Sequence, residues 1–158
     1  MSKILNVKGR QVFDSRGNPT VEAEVFLDND ISASAISPSG ASTGAFEAHE
    51  LRDQDENIFL GKSVNKAIKN INKNIASKLK GLDANNQKNI DKVLLDLDGT
   101  ENKTNLGANA TLAVSLAISK CSAISNKKSL YKNLGNSFSL PIPLMNIING
   151  GAHADNDL

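Results

Sequence analysis

The clearest pattern in the chain is a regular alternation in the segment 20–27, where every second residue is apolar. Glu22 and Glu24 fall on one face, and the other face carries only apolar side chains, which are Val21, Ala23, Val25 and Leu27. A period of two residues is typical of a strand that is buried on one side and solvated on the other. The pattern therefore predicts a half-buried strand here.

Two further strands are predicted on either side of this one. The first covers 4–13, with Leu5, Val7 and Phe13 on its apolar face, and the other covers 31–36. The connecting stretches are short and rich in turn-forming residues such as Asn, Asp, Gly and Pro. Strands joined by short turns pair side by side, so we expect a three-stranded antiparallel sheet.

Beyond residue 60 the apolar spacing changes from two to three or four, which predicts helices. A first helix carries one apolar stripe, formed by Val64, Ile68, Ile71, Ile75 and Leu79. A second ends near Gly99, a third rich in alanine begins near Gly107, and a short fourth covers 129–134. The order of elements predicts an α+β domain over 1–135, a three-stranded antiparallel sheet followed by a helical bundle.

The last stretch of the chain, 136–158, differs from the rest. A linker is followed by the apolar run Leu144–Ile148, interrupted only by Asn146, which is typical of a strand buried on both faces. Such a strand needs neighbours on both sides. We therefore interpret 136–158 as a linker and the first strand and loop of another domain, and expect the sequence to be part of a longer protein.

Composition excludes some classes of function. The formal net charge is only +1, and one tyrosine and no tryptophan are present, so neither electrostatics nor stacking favours a nucleic-acid partner. The single cysteine, Cys121, cannot form an internal disulfide and is expected to be a small packing residue. The sequence shows no signal peptide and no membrane span, so we expect a cytoplasmic protein.

The segment SPSGASTG, 37–44, follows the third predicted strand directly. It contains two glycines and four hydroxyl side chains and no large apolar residue. Such a loop can fold over an oxyanion or offer oxygen ligands to Mg²⁺, although an ordinary surface loop has the same composition. A nucleotide-binding P-loop ending at Gly61-Lys62-Ser63 is excluded, because Glu56 stands where that motif needs glycine.

Several motifs, taken together, resemble one family. They are DSRGNPTVEAEV at 14–25, SPSGASTG at 37–44, EAHELRD at 47–53, LDGT at 97–100, LGANATLAVSLA at 106–117, SLY at 129–131 and LPIPLMNIINGGAHADN at 140–156. In this order and spacing they resemble the enolases, and the resemblance extends over essentially the whole chain. Ser37 is a departure, since the family usually has an apolar residue before Pro38; this substitution is expected to loosen the anchor of the loop.

The resemblance implies a function. Enolases are Mg²⁺-dependent lyases of glycolysis that interconvert 2-phosphoglycerate and phosphoenolpyruvate by reversible loss of water. A small N-terminal α+β domain caps a β/α barrel that carries most of the chemistry. By resemblance, Ser42 binds the metal and, with Ala41 and His153, the substrate. The lid loop around Ser42 comprises Ser39, Gly40, Thr43 and Gly44.

The resemblance also implies what must lie elsewhere. The family's catalytic glutamates and lysine and its other metal ligands are expected beyond Leu158, so no catalytic residue is assigned within these 158 residues. The enolases form homodimers or larger homo-oligomers, and Arg16 and Glu22 resemble residues near the dimer contact. Glu47 and Asp53 are assigned only surface or hinge roles. The alternative is that the chain is a catalytically inactive capping or interaction module without a barrel.

Overall fold

The structure is a computed structural model that describes residues 2–40, 44 and 46–148. Three strands, β1 (Ile4–Phe13), β2 (Pro19–Leu27) and β3 (Ser32–Ile36), form an antiparallel sheet in the order β1-β2-β3. Helices follow the sheet in the chain and pack on one of its faces. The predicted α+β fold is thus confirmed.

The buried face of β2 is the predicted one, but that of β1 is partly different. Val21, Ala23, Val25 and Leu27 are all buried, and on β1 the buried residues are Ile4 and Val7. The pairing of β1 with β2 shifts between Ile4 and Asn6. Because such an irregularity breaks the alternation of faces, Leu5 turns outward and is 52% exposed. The prediction that Leu5 shares the buried face of Val7 was wrong.

The long apolar stripe beyond residue 60 forms one continuous helical run with three parts. These are α1 (Asn65–Lys69), a π-helical segment (Asn70–Ile75) and α2 (Ala76–Leu79). In the π-helical segment, Asn72 accepts a hydrogen bond from the Gly9 N–H at 2.8 Å and donates one to the Gly9 carbonyl at 3.1 Å. A strand at a sheet edge has unpaired backbone groups, and this amide satisfies two of them on β1.

The remaining helices are close to the predicted ones. They are α3 (Gln87–Asp98), α4 (Ala108–Ser125) and the short α5 (Leu130–Leu134). The small residues of α4 allow it to lie close against the sheet, with Ala110, Ala113 and Ala117 fully buried. Cys121 is buried there as well, and burial raises the pKa of its thiol to about 11. This agrees with a packing role.

The described residues beyond α5 carry no helix or strand. In 140–148 the large apolar side chains are 72–99% exposed, namely Leu140, Ile142, Leu144, Met145, Ile147 and Ile148. The predicted barrel strand therefore stays a prediction, since a strand needs a neighbour with which to pair. Within the described part of the chain, no helix has the length and apolar character that a bilayer crossing requires.

Candidate functional site

The polar loop after β3 is anchored to the sheet through its backbone. The Ser37 N–H donates to the Val21 carbonyl at 2.9 Å, and the Thr20 hydroxyl donates to the Ser37 carbonyl at 2.6 Å. Ser37 is only 3% exposed. The expectation that a serine at this position loosens the anchor is not supported, because the anchoring atoms belong to the backbone and would be the same for an apolar residue.

A second anchor lies on the other side of the loop, at residues 49–51. The His49 N–H donates to the Asn102 carbonyl at 2.7 Å, and the His49 carbonyl accepts from the Ala108 N–H at 2.8 Å. Leu51 pairs with the side-chain amide of Asn109, with N···O distances of 3.3 and 3.0 Å. We call residues 37–40 and 46–52 together the stem, since both parts are bound to the folded domain.

Gly107 makes the close approach of the stem possible. It adopts a φ of 94°, and a Cβ atom there would lie 2.6 Å from the Leu51 Cβ and 2.5 Å from the Asn109 Oδ1. Neither distance is compatible with a side chain, and the backbone conformation itself favours glycine. A residue without a Cβ is therefore required where α4 begins against the stem.

Asp98 organises the loop that faces the stem. Its carboxylate accepts hydrogen bonds from the Leu106 N–H at 2.7 Å, from the Thr100 N–H at 3.1 Å and from the Thr100 hydroxyl. Burial by itself raises the pKa of Asp98, but these hydrogen bonds to the charged form outweigh it, and the net result is a lowered pKa. The loop that follows is thereby fixed in place.

An open cleft of about 770 Å³ lies between the stem, this loop and helices α3 and α4. Basic and acidic side chains both line the cleft, namely Arg52, Lys103, Glu47, Glu50 and Asp91, together with the His49 imidazole. Apolar residues form the rest of its wall, including Leu94, Leu95, Ala108 and Leu112. A concave surface with a few converging polar groups is the usual form of a ligand site.

Sequence comparison identifies the family. Residues 4–134 match the family described as Enolase, N-terminal domain, which is most of the chain. The chain belongs to the enolase family. The matched region ends at Leu134, which is also the last residue of α5.

Of the residues that the sequence predicts for the enolase lid loop, Gly40 and Gly44 line the cleft. The Ser39 hydroxyl donates to the Glu50 Oε1 at 3.1 Å and accepts from Arg52 at 3.1 Å. Ala41, Ser42, Thr43 and His153 lie outside the described residues. Across the described ranges there is no group of three His, Cys, Asp or Glu side chains that could hold a metal ion.

The two residues predicted near the enolase dimer contact lie on the sheet and its first turn. Arg16 is exposed, and its N–H donates to the Asp14 carboxylate at 2.8 Å. Glu22 projects from β2 and forms an ion pair with Arg10, which also binds Glu24 at 3.1 Å. Burial by itself raises the pKa of Glu22, but hydrogen bonds from Arg10 and Ser34 to the carboxylate outweigh the effect of burial. The net result is a lowered pKa of Glu22. The dimer contact stays a prediction.

Sequence reasoning missed two residues that shape this region of the enolase domain, Arg52 and Asn109. Both act through tertiary contacts, so their spacing in the sequence carries no signal.

Asp53 was assigned only a surface or hinge role, and the structure gives it a defined one. It accepts hydrogen bonds from the Ser63 hydroxyl at 2.7 Å and from the N–H groups of Asn65 and Lys66 at 2.8 Å. It therefore caps the first turn of α1, although it lies outside the helix.

Proposed function

We propose that the chain is the N-terminal part of an enolase that interconverts 2-phosphoglycerate and phosphoenolpyruvate by reversible loss of water, a hydro-lyase of glycolysis. The family match over residues 4–134 carries this proposal. It is supported by the cleft, whose wall includes Gly40 and Gly44 on either side of Ser42 in the sequence.

The chemistry explains why a loop of small residues would serve here. Removal of the proton next to a carboxylate creates an additional negative charge on a substrate that already carries a phosphate. Such an intermediate must be stabilised by positive charge and protected from water. We assign Ala41, Ser42 and His153 to substrate binding, and the loop of Ser39, Gly40, Thr43 and Gly44 to the exclusion of water.

Mg²⁺ is the cofactor that we propose, with Ser42 as one of its ligands, because a hard cation takes oxygen donors. The described residues do not form a magnesium site on their own, since no cluster of metal-ligating side chains is present among them. The remaining ligands and the catalytic glutamate and lysine residues are therefore assigned to a β/α barrel that follows the linker.

A direct test uses a gene product that extends into such a barrel. It should produce phosphoenolpyruvate, measured by absorbance, from 2-phosphoglycerate and Mg²⁺. Ser42→Ala should lower kcat/KM by about a hundredfold, the usual order for a group that stabilises transition-state charge. Ser32→Ala, a matched change at the exposed first position of β3, the end of the strand that is farther from the loop, should leave kcat/KM within about twofold of the unchanged value. Equal activity of the two variants would contradict the assignment of Ser42.

We also propose that the full enzyme is cytoplasmic and forms a homodimer or a larger homo-oligomer with Arg16 and Glu22 near the contact. The alternative is a capping or interaction module without catalytic activity. For the 158 residues taken alone this alternative stays open, because the resemblance places the catalytic glutamates and the lysine beyond Leu158. We expect no turnover from this chain by itself, and steady formation of phosphoenolpyruvate would contradict that expectation.

A further inference from the structure

Arg52 contacts three other parts of the chain and also Glu50 in its own arm of the stem. Its Nη1 donates to the carbonyls of Pro19 and Lys62, both at 2.5 Å. Its Nη2 donates to the Glu50 Oε1 at 2.6 Å and to the Ser39 Oγ at 3.1 Å. The two carbonyls belong to the start of β2 and to the end of the short 3₁₀ turn Phe59–Gly61, whereas Ser39 and Glu50 belong to the stem.

Only arginine suits this position among the basic residues. Its guanidinium is planar and presents several N–H donors in a fixed fork, whereas the lysine ammonium is a compact charge on a flexible chain. The Arg52 side chain is only 19% exposed, and Ser39 and Glu50 also hydrogen bond to each other at 3.1 Å. Competition from water is therefore limited, and the three side chains form a closed triangle.

We propose that Arg52 is a positioning residue that ties the two arms of the stem to each other and to the sheet. Ser39 precedes Ser42 by three residues, a reach of at most about 11 Å of extended chain. A shift of the Ser39 arm would therefore displace the point at which the segment that we assign to substrate and metal leaves the stem. This last step rests on the proposed function, whereas the link between Arg52 and the stem does not.

The link is tested by amide hydrogen exchange on the 158-residue chain, without substrate. Arg52→Lys should accelerate exchange at the amides of Ser37, His49 and Leu51 by about tenfold, with the amides of β2 and those of α4 beyond its first turn unchanged. Arg10→Lys is the matched control, because Arg10 binds the Glu22 and Glu24 carboxylates on the solvated face of the sheet, and it should leave the stem amides unchanged.

Two further variants separate positioning from general loss of stability. Ser39→Ala alone should accelerate exchange at the stem amides, and it should add little when Arg52→Lys is already present, because both changes break the same contact. Glu50→Gln keeps the shape of the side chain and should give a smaller acceleration. Uniform acceleration throughout the chain, or full additivity of the first two changes, would overturn the proposal.

Kinetics on a chain that extends into the barrel tests the functional step. Arg52→Lys should lower kcat/KM for 2-phosphoglycerate by about tenfold, because small displacements of a reacting group reduce the rate strongly. Arg10→Lys should not. If Arg52→Lys accelerated amide exchange in the stem but left kcat/KM unchanged, Arg52 would stabilise the stem without affecting catalysis. That result would overturn its positioning role. No activity in the unmodified enzyme would instead contradict the proposed function, so the two failures are distinct.

Discussion

Two arginine clusters in this domain use the same chemistry in different surroundings. Arg10 binds Glu22 and Glu24 on the solvated face of the sheet, and its side chain is 52% exposed. Arg52 binds Glu50, the Ser39 hydroxyl and two backbone carbonyls, and its side chain is 19% exposed. Ion pairs in water are screened and contribute little, whereas hydrogen bonds to backbone groups in a sheltered place fix geometry. The burial of the arginine side chain and the type of acceptor, rather than the charge, distinguish the two clusters.

The largest effect on stability is expected at Gly107, where the start of α4 lies closest to Leu51 of the stem. Gly107→Ala should lower the free energy of unfolding by about 2–4 kcal/mol, since it combines an unfavourable φ of 94° with a steric clash against Leu51. Gly17→Ala is the control, because Gly17 also has a positive φ, 76°, but a Cβ atom there would meet no other atom within 4 Å. Its cost should be about 1 kcal/mol. If urea denaturation showed the same loss of unfolding free energy for Gly107→Ala and Gly17→Ala, the close contact with Leu51 would be unimportant.

The loop opposite the stem depends on one carboxylate, and its contribution should vary with pH. The pKa of Asp98 is lowered in the folded state, so its stabilisation is present above the unfolded value near 3.8 and is lost as the pH falls through the folded value. Asp98→Asn should cost about 1–3 kcal/mol at neutral pH, because it weakens bonds to Thr100 and Leu106.

Denaturation at a series of pH values from about 7 down to about 3 measures this effect. The difference between Asp98→Asn and the unchanged protein should become smaller towards the acidic end. Asp96→Asn, on the exposed side of the same helix, provides the control and should change the free energy of unfolding by less than about 0.5 kcal/mol at neutral pH. A difference that stays constant over the whole range would contradict the role given to the Asp98 charge.

The exposed cluster should show the smallest effect. Arg10→Ala is expected to lower the midpoint of urea denaturation only slightly, because the Arg10 side chain is half exposed and its removal opens Glu22 and Glu24, which are 14% and 25% exposed, to water. Arg52→Ala should lower that midpoint clearly, because it removes the guanidinium donors of two backbone carbonyls and leaves Glu50 with only the Ser39 hydroxyl. If Arg10→Ala proved the more damaging of the two, the distinction between the clusters would be wrong.

Much of the fold could be predicted from the sequence, but less of the candidate site. Strand β2 and helix α3 follow directly from local periodicity and from Gly99, which ends α3 with a φ of 69°. The exposed side of the sheet on which Leu5 lies could not be predicted, because it depends on the irregular pairing of β1 with β2. Arg52 and Asn109 could not be identified, because their contacts join residues up to 58 positions apart.

The sequence alone determined the order of strands and helices, the apolar faces of β2 and of the helices, and the resemblance to enolases that the family match bears out. These features depend on residues that are neighbours in the chain or repeat at a fixed spacing. Only the tertiary structure decided that the polar loop has two anchored arms, that Arg52 joins them and that Gly107 must lack a side chain. Such contacts arise when distant segments pack together, and no local pattern records them.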